Sequence, residues 1–562
     1  MLNKLMTTAG EGFCGTPWAV YPRPQMKREK WLNLNGEWDF SVDYEKKGSI
    51  RVPFCPESKL SGIESHFEDG SLLCYNRTFC LPEAWRNGRV ILHIGAADQR
   101  ADVFLNGKPV GTHKGGYEAF SFDITALLQA ENYLQICCFD DLQDQSYPYG
   151  KQVLPEKRGG MWYTPVSGIW QTVWLEHVPE TYIQKLHIEN RGYGVTISIE
   201  PAMNGRVCVA ALGSFELTGG SVTITPENPH LWSPEDPYLY DFTVEAGEDK
   251  VESYFAIRSL EIKKVGKYPR LCLNGKPYFF HGLLDQGYWP DGIFTPATPA
   301  CYADDILMMK KLGFNTLRKH IKVEPEEFYY QCDKLGMIVF QDMVNNSDYN
   351  FLRDTALPTV GIQKLNDRNL HSDEVSRKRF LEGMEATVKQ LKNHPCICYW
   401  TIFNEGWGQF DSDNVYEQFR KLDDTRFIDS TSGWFRREKT DVDSRHVYFR
   451  KVKLEGDGKK PLVLSEFGGK TYKVEGHVFN PDKSYGYGGC DSLEALNEAV
   501  VKLYMDEVLP CAKKGLCAAI YTQVSDVEDE INGLVTYDRK VEKMNPEKLL
   551  PVAAALQQAV EE

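Results

Sequence analysis

Basic charge is in short supply in this chain. Lys and Arg number 64 against 79 Asp and Glu, a net charge of −15. Nucleic acid or an anionic membrane would need a basic face, so neither is expected as a partner. Long apolar runs are missing too, since none reaches the ~20 residues of a membrane span. The first 28 residues hold no continuous apolar segment, so no secretory signal is expected there. Cysteine is plentiful, at 15 residues, but there is no CxxC pair and no Cys/His cluster with zinc spacing. Cys137, Cys138, Cys396 and Cys398 sit inside apolar runs as small hydrophobes. Free thiols in a reducing cytoplasm are the expected state. No internal repeat or low-complexity tract appears.

What remains is an ordinary globular composition, 42% hydrophobic and 25% charged, in a chain too long for one hydrophobic core. Residues 31–178 read as short alternating strands between turn signals, which suits a jelly-roll β-sandwich. Asn35-Gly36 and Asn106-Gly107 are hairpin-turn candidates, and 167–176 reads as one long strand. Residues 181–264 hold about seven short strands, as in an immunoglobulin-like sandwich. After Lys264 strands alternate with helices, the pattern of a parallel sheet. Strands are expected at 278–283, 315–318, 337–342, 393–403, 427–430, 446–449, 461–466 and 518–523. Short charged connections after the fifth and sixth leave little room for helices. The expected fold is therefore a jelly-roll sandwich (1–180), an immunoglobulin-like sandwich (181–265) and a C-terminal (β/α)8 TIM barrel (266–562).

Two apolar runs carry the chemistry. Cys396-Ile397-Cys398-Tyr399-Trp400-Thr401-Ile402-Phe403 ends in Asn404-Glu405-Gly406, and Pro461-Leu462-Val463-Leu464-Ser465 ends in Glu466-Phe467-Gly468-Gly469. Barrel catalysts place reactive groups at the C-terminal ends of strands. Two glutamates delivered there suit glycoside hydrolysis, which needs a proton donor and a second carboxylate across one bond. Either alone could be a salt-bridged structural residue. Arg318 and Asp342 end strands two and three, and either could bond sugar hydroxyls or form a structural ion pair. Asp285, Gln286 and Trp289 in the first loop, Trp434 in the fifth, and Gln523 and Asp526 after the last strand are further candidate substrate contacts.

At these residues the chain resembles glycoside hydrolase family 2, which includes β-galactosidases, β-glucuronidases and β-mannosidases. The resemblance rests on Leu34-Asn35-Gly36-Glu37-Trp38, Ser167-Gly168-Ile169-Trp170, Asn228-Pro229-His230-Leu231-Trp232-Ser233-Pro234 and Asn393-His394-Pro395 followed by Trp400 and Asn404-Glu405. It implies Glu405 as acid/base, Glu466 as nucleophile, Asn404 on the sugar 2-OH and Tyr448 donating to the nucleophile. No organic cofactor is expected and no residues are assigned as metal ligands, with a structural Mg²⁺ or Na⁺ left open. There are departures. Leu284-Asp285-Gln286-Gly287 stands where galactosidases and glucuronidases show Asn-x-His-Glu-like sequences, and Lys319-His320-Ile321-Lys322 follows Arg318 in place of Ser-His-Tyr-Pro. The Asn-x-Lys pair that holds a uronate carboxylate in glucuronidases is missing near Glu530-Ile531-Asn532. The expectation is a retaining exo-β-glycosidase, β-galactosidase-like, acting on a carbohydrate substrate, with self-association left open. β-Glucosidase, β-mannosidase or arabinosidase specificity, an inverting hydrolase and a non-catalytic carbohydrate-binding protein are the alternatives.

Overall fold

Eight parallel strands organise the C-terminal half of a computed structural model that describes residues 2–85, 87–359, 361–362 and 366–561. They are Phe280–Asp285, Thr316–Lys319, Ile338–Asp342, Ile397–Thr401, Phe427–Asp429, Asp443–Val447, Leu462–Phe467 and Leu516–Tyr521. The hydrogen-bonded order runs from the fifth strand through the fourth, third, second and first to the eighth, seventh and sixth. The barrel is thus closed except for one seam, between strands five and six. No helix occupies either connection flanking the sixth strand among the described residues, in line with their length and charge. Elsewhere helices cover the sheet, so most strands are buried end to end, as a sheet with both faces covered requires.

The helices follow local rules. Glu374–Leu391 opens at Asp373, whose carboxylate accepts the Ser376 amide hydrogen at 2.7 Å, and it buries Phe380, Met384, Val388 and Leu391 at helical spacing. Glu326–Leu335 stops at Gly336, which takes a left-handed conformation (φ 72°). Pro546–Glu561 closes the domain. No helix is long and apolar enough to cross a membrane among the described residues.

The first sandwich sets a six-stranded sheet against a four-stranded one, with Trp38, Phe40, Tyr75 and Leu92 in the shared core. Asn106-Gly107 is the tight turn its sequence suggests, with both residues at positive φ, joining Arg100–Leu105 to Lys108–Lys114. Asn35-Gly36 is not such a turn. Trp31–Asn33 pairs with Val173–Val178 while Gly36–Val42 pairs in the other sheet, so the dipeptide carries the chain between layers. The expected long strand 167–176 is broken as well. Gly168–Ile169 pairs with Ala97–Asp98, and the chain resumes as Val173–Val178 after Gly168 turns at φ 65°. One expectation about thiols fails: Cys74 and Cys137 lie directly opposite on adjacent strands, Cα atoms 4.2 Å apart, and form a disulfide. The other cysteines are free.

The second sandwich has sheets of three and four strands and is tied to both neighbours. Asn393 donates to the Leu186 carbonyl at 2.7 Å and accepts from the Ile188 amide at 2.9 Å. Trp232 donates from its indole to the Asp333 carbonyl at 2.7 Å. Arg28 joins the two sandwiches: its guanidinium meets Glu176 of the first at 3.1 Å and Asp249 of the second at 2.7 Å, all three side chains buried. Removing one partner of a buried ion pair leaves a bare charge and costs about 3–5 kcal/mol. Arg28→Ala should lower the first unfolding transition in urea by about that amount. A wild-type transition would show that the pair does not couple the sandwiches.

Candidate active site

Glu405 and Glu466 meet at the C-terminal mouth of the barrel. Glu466 lies within the seventh strand and Glu405 just past the fourth, where the backbone turns through positive φ at Glu405 (54°) and Gly406 (78°). A Cβ on Gly406 would fall 2.2 Å from the Phe435 ring, so only glycine allows this turn. Carboxylate oxygens of the two glutamates and a ring nitrogen of His446 all lie within 4.8 Å of one another. The trio therefore also has the spacing of a cation site.

The two carboxyls have opposite environments. Burial, and after it the charge of Glu466, raises the pKa of Glu405, with His446 opposing. Burial acts on Glu466 in the same sense, but His446, Arg318, His320 and Lys151 outweigh it and hold its pKa well below the usual carboxylate range. Arg318 is the organiser. From the second strand it donates through Nη1 to Glu466 at 3.0 Å, through Nη2 to Asn404 at 2.9 Å and through Nε to Asp342 at 2.9 Å. Tyr448, just past the sixth strand, donates to the other Glu466 oxygen at 2.9 Å.

His446 is the residue that sequence reading overlooked, although it stands two positions before Tyr448. Its Nδ1 lies 2.6 Å from Glu405 Oε1, and its Nε2 faces the Arg318 guanidinium at 3.5 Å and the Ser432 hydroxyl at 3.1 Å. A guanidinium only donates, so Nε2 accepts, and Nδ1 carries the proton toward Glu405. His320, two residues past Arg318, bonds Asp342 through Nδ1 at 2.7 Å. Burial lowers its pKa to about 4, so near neutral pH it is uncharged, with Nδ1–H donating and Nε2 an acceptor.

These groups open into a cavity of about 120 Å³. Of the expected substrate contacts, Gln286, Trp434 and Tyr448 line it together with both glutamates. The others do not. Asp285 faces Lys319 at 2.6 Å. Trp289 is buried under Arg539, whose guanidinium carbon lies 4.0 Å from the ring centre. Gln523 bonds Asn532 at 2.8 Å, and Asp526 pairs with Lys543 at 2.6 Å. Arg318, Asp342 and Asn404 stand behind the wall and hold its residues in place. Apart from Trp289, which packs under a guanidinium, a nearby opposite charge or amide engages each group, and such partners, distant in sequence, carry no local signal. The wall instead includes Lys151 and Met161 from the first sandwich, His320, Thr522, Tyr485, Tyr487 and Glu530. Phe351 and Phe449 stand at its rim, 66% and 74% exposed.

Comparison with known proteins agrees with this architecture. The profile of "Glycosyl hydrolases family 2, TIM barrel domain" matches residues 264–544, the family's sugar binding domain matches 68–179, and a third profile, "Glycosyl hydrolases family 2", matches 183–258. The chain belongs to glycosyl hydrolase family 2. It is 24% identical over 513 residues to a β-galactosidase of Thermoanaerobacter pseudethanolicus and 26% identical over 450 residues to the β-glucuronidase of Felis catus. These alignments cover 81% and 69% of this chain but only 64% and 65% of those proteins. Among solved structures, a β-D-glucuronidase of Dictyoglomus thermophilum superposes with a TM-score of 0.73 at 20% identity, covering 96% of this chain and 98% of that one. A family 2 β-galacturonidase of Eisenbergiella tayi bound to galacturonate gives 0.68 at 20% identity, covering 96% and 99%.

The network around Arg318 generates a prediction. Arg318→Met should reduce kcat/KM by about 10²-fold, the cost of a small displacement of a reacting group. It should also move the acid limb of the pH profile upward, because Glu466 loses a cation that favours its charged form. Arg318→Lys should restore part of that limb. An unmoved limb in the Met variant would deny Arg318 this role.

Proposed function

We propose that the protein is a retaining β-glycosidase that removes a single terminal sugar, with β-galactoside-like substrates. The observation that carries this reading is the pair of carboxyls, close together and shifted in opposite senses. Retaining hydrolysis places them ~5–5.5 Å apart, whereas an inverting enzyme needs ~6.5–9.5 Å to admit a water. The oxygen spacing within 4.8 Å supports the first.

In this reading Glu466, held ionised by Arg318 and Tyr448, attacks the anomeric carbon. The C–O bond to the aglycone breaks as Glu405 protonates the departing oxygen. Because His446 Nδ1–H occupies Oε1 of Glu405, the donated proton sits on Oε2. In the second step ionised Glu405 takes a proton from water, which releases the sugar from Glu466 with its configuration retained. The small hollow, closed on one side by the first sandwich, suits one sugar ring. A uronide glycone is the second reading, favoured by the names of several relatives and by Lys151 in the wall.

Glu466→Ala and Glu405→Gln should each lower turnover of aryl β-glycosides by several orders of magnitude while leaving the unfolding transition in place. Azide should rescue Glu466→Ala and yield the α-glycosyl azide. Undiminished activity in either variant, or a first-formed product of inverted configuration from the wild type, would refute the mechanism. The pH profile of kcat/KM should be bell-shaped. Activity falls below the lowered pKa of Glu466, which must be ionised, and above the raised pKa of Glu405, which must be protonated. Chelator treatment should leave activity unchanged, and a loss reversed by a divalent ion would reassign the Glu405–His446–Glu466 trio to metal binding.

A further inference from the structure

The cavity wall carries several buried hydrogen-bond acceptors. Gln286 lines it, 4% exposed, and its Oε1 is buried without a hydrogen-bond partner. An unmatched buried acceptor costs free energy unless a ligand supplies the hydrogen. Glu530 lines the same cavity, 2% exposed. It is placed by the chain after the eighth barrel strand and held by the Tyr163 hydroxyl of the first sandwich and by Asn532 Nδ2 at 2.9 Å. A carboxylate has about four acceptor positions, and these two donors leave others free. His320 uses Nδ1 on Asp342 and keeps Nε2 as an acceptor. Glu466 completes the set. The wall also holds donors: the Gln286 amide N–H, the Trp434 indole, the Tyr485 and Tyr487 hydroxyls and the exposed Arg450, while Tyr448 is already engaged with Glu466 and Thr522 and Lys151 is shared between the carboxylates of Glu466 and Glu530.

We propose that Glu530 and Gln286 select the glycone: they accept hydrogen bonds from sugar hydroxyls and so favour a neutral sugar over the corresponding uronic acid. A neutral hexose brings a hydroxymethyl donor where a uronate brings a charged group with acceptors only. Placed in this cavity, a uronate carboxylate meets the buried acceptors of Glu530 and Glu466, with Lys151 shared between those two carboxylates. This assignment rests on the glycosidase reading of the site and narrows its substrate to β-glycosides of neutral sugars. It also gives the first sandwich a part in specificity, since Tyr163 sets the position of Glu530.

Binding tests the selection without turnover. Isothermal titration at pH 7 compares D-galactose with D-galacturonate and D-glucose with D-glucuronate on the wild type, Gln286→Leu, Glu530→Gln and Glu530→Lys. At least one neutral sugar should bind the wild type ten-fold or more tightly than its uronic acid. Gln286→Leu should weaken neutral sugars roughly ten-fold, in keeping with the loss of a hydrogen bond at a buried site, with little change for uronates. Glu530→Gln should narrow the preference and Glu530→Lys narrow it further or reverse it. Gln286 Oε1 has no hydrogen-bond partner to lose, so its variant decides the question if a Glu530 variant does not fold. Equal or tighter binding of both uronates by the wild type would overturn the assignment, as would an unchanged ratio in Gln286→Leu and every folded Glu530 variant. A wild type that prefers neutral sugars but cleaves no aryl glycoside would count against the catalytic reading alone.

Discussion

One buried cation decides how this site works. Arg318 is 1% exposed and has carboxylate or amide oxygens of Glu466, Asp342 and Asn404 around its planar fork. Placing such a charge in the barrel is costly unless every donor is matched, and here the matching groups are the ones that must be aligned for chemistry. The same contact that satisfies the arginine keeps Glu466 ionised. The negative charge on Glu466 in turn helps keep the proton on Glu405. A charged and a protonated carboxyl separated by a few ångströms thus follow from burial together with the charges of His446 and Arg318.

The accessory domains enter the same arrangement from outside. Lys151, Met161 and Tyr163 come from the first sandwich, and the first two reach the cavity wall while the third anchors Glu530. The motif around the fourth strand divides between two ends of the barrel. Asn393 and His394, before the strand, hold the second sandwich and the Asp333 carboxylate, whereas beyond it Glu405 lines the cavity and Asn404 accepts from Arg318 behind the wall. A motif read as one catalytic signature is half structural. The strand between them, with Trp400 bonded to Asp423 at 2.8 Å, is the rigid spacer.

Glu405 and Glu466 were legible because each ends an apolar run with glycine next to it or close behind, whereas Asp285 and Asp342, at the ends of other strands, are taken up by Lys319 and Arg318. The barrel strands were legible for a related reason: strands covered on both faces read as continuous apolar runs. The sandwiches gave a weaker signal, and the errors fell where local turn chemistry competes with sheet pairing. Asn35-Gly36 has the composition of a hairpin but joins two sheets, and the 167–176 segment alternates like one strand but breaks at 170–172.

Composition and periodicity pointed to the two sandwiches, the eight barrel strands and the two acidic residues at strand ends, since these depend on neighbours within a few positions. Only the tertiary structure decided which polar groups reach the cavity. Asp285, Trp289, Gln523 and Asp526 are taken up by Lys319, Arg539, Asn532 and Lys543, while Lys151, His446 and Glu530 reach the wall. The physical reason is that a polar side chain near a barrel mouth is free for a ligand only if no opposite partner lies within hydrogen-bond reach. That partner is set by packing between elements remote along the chain.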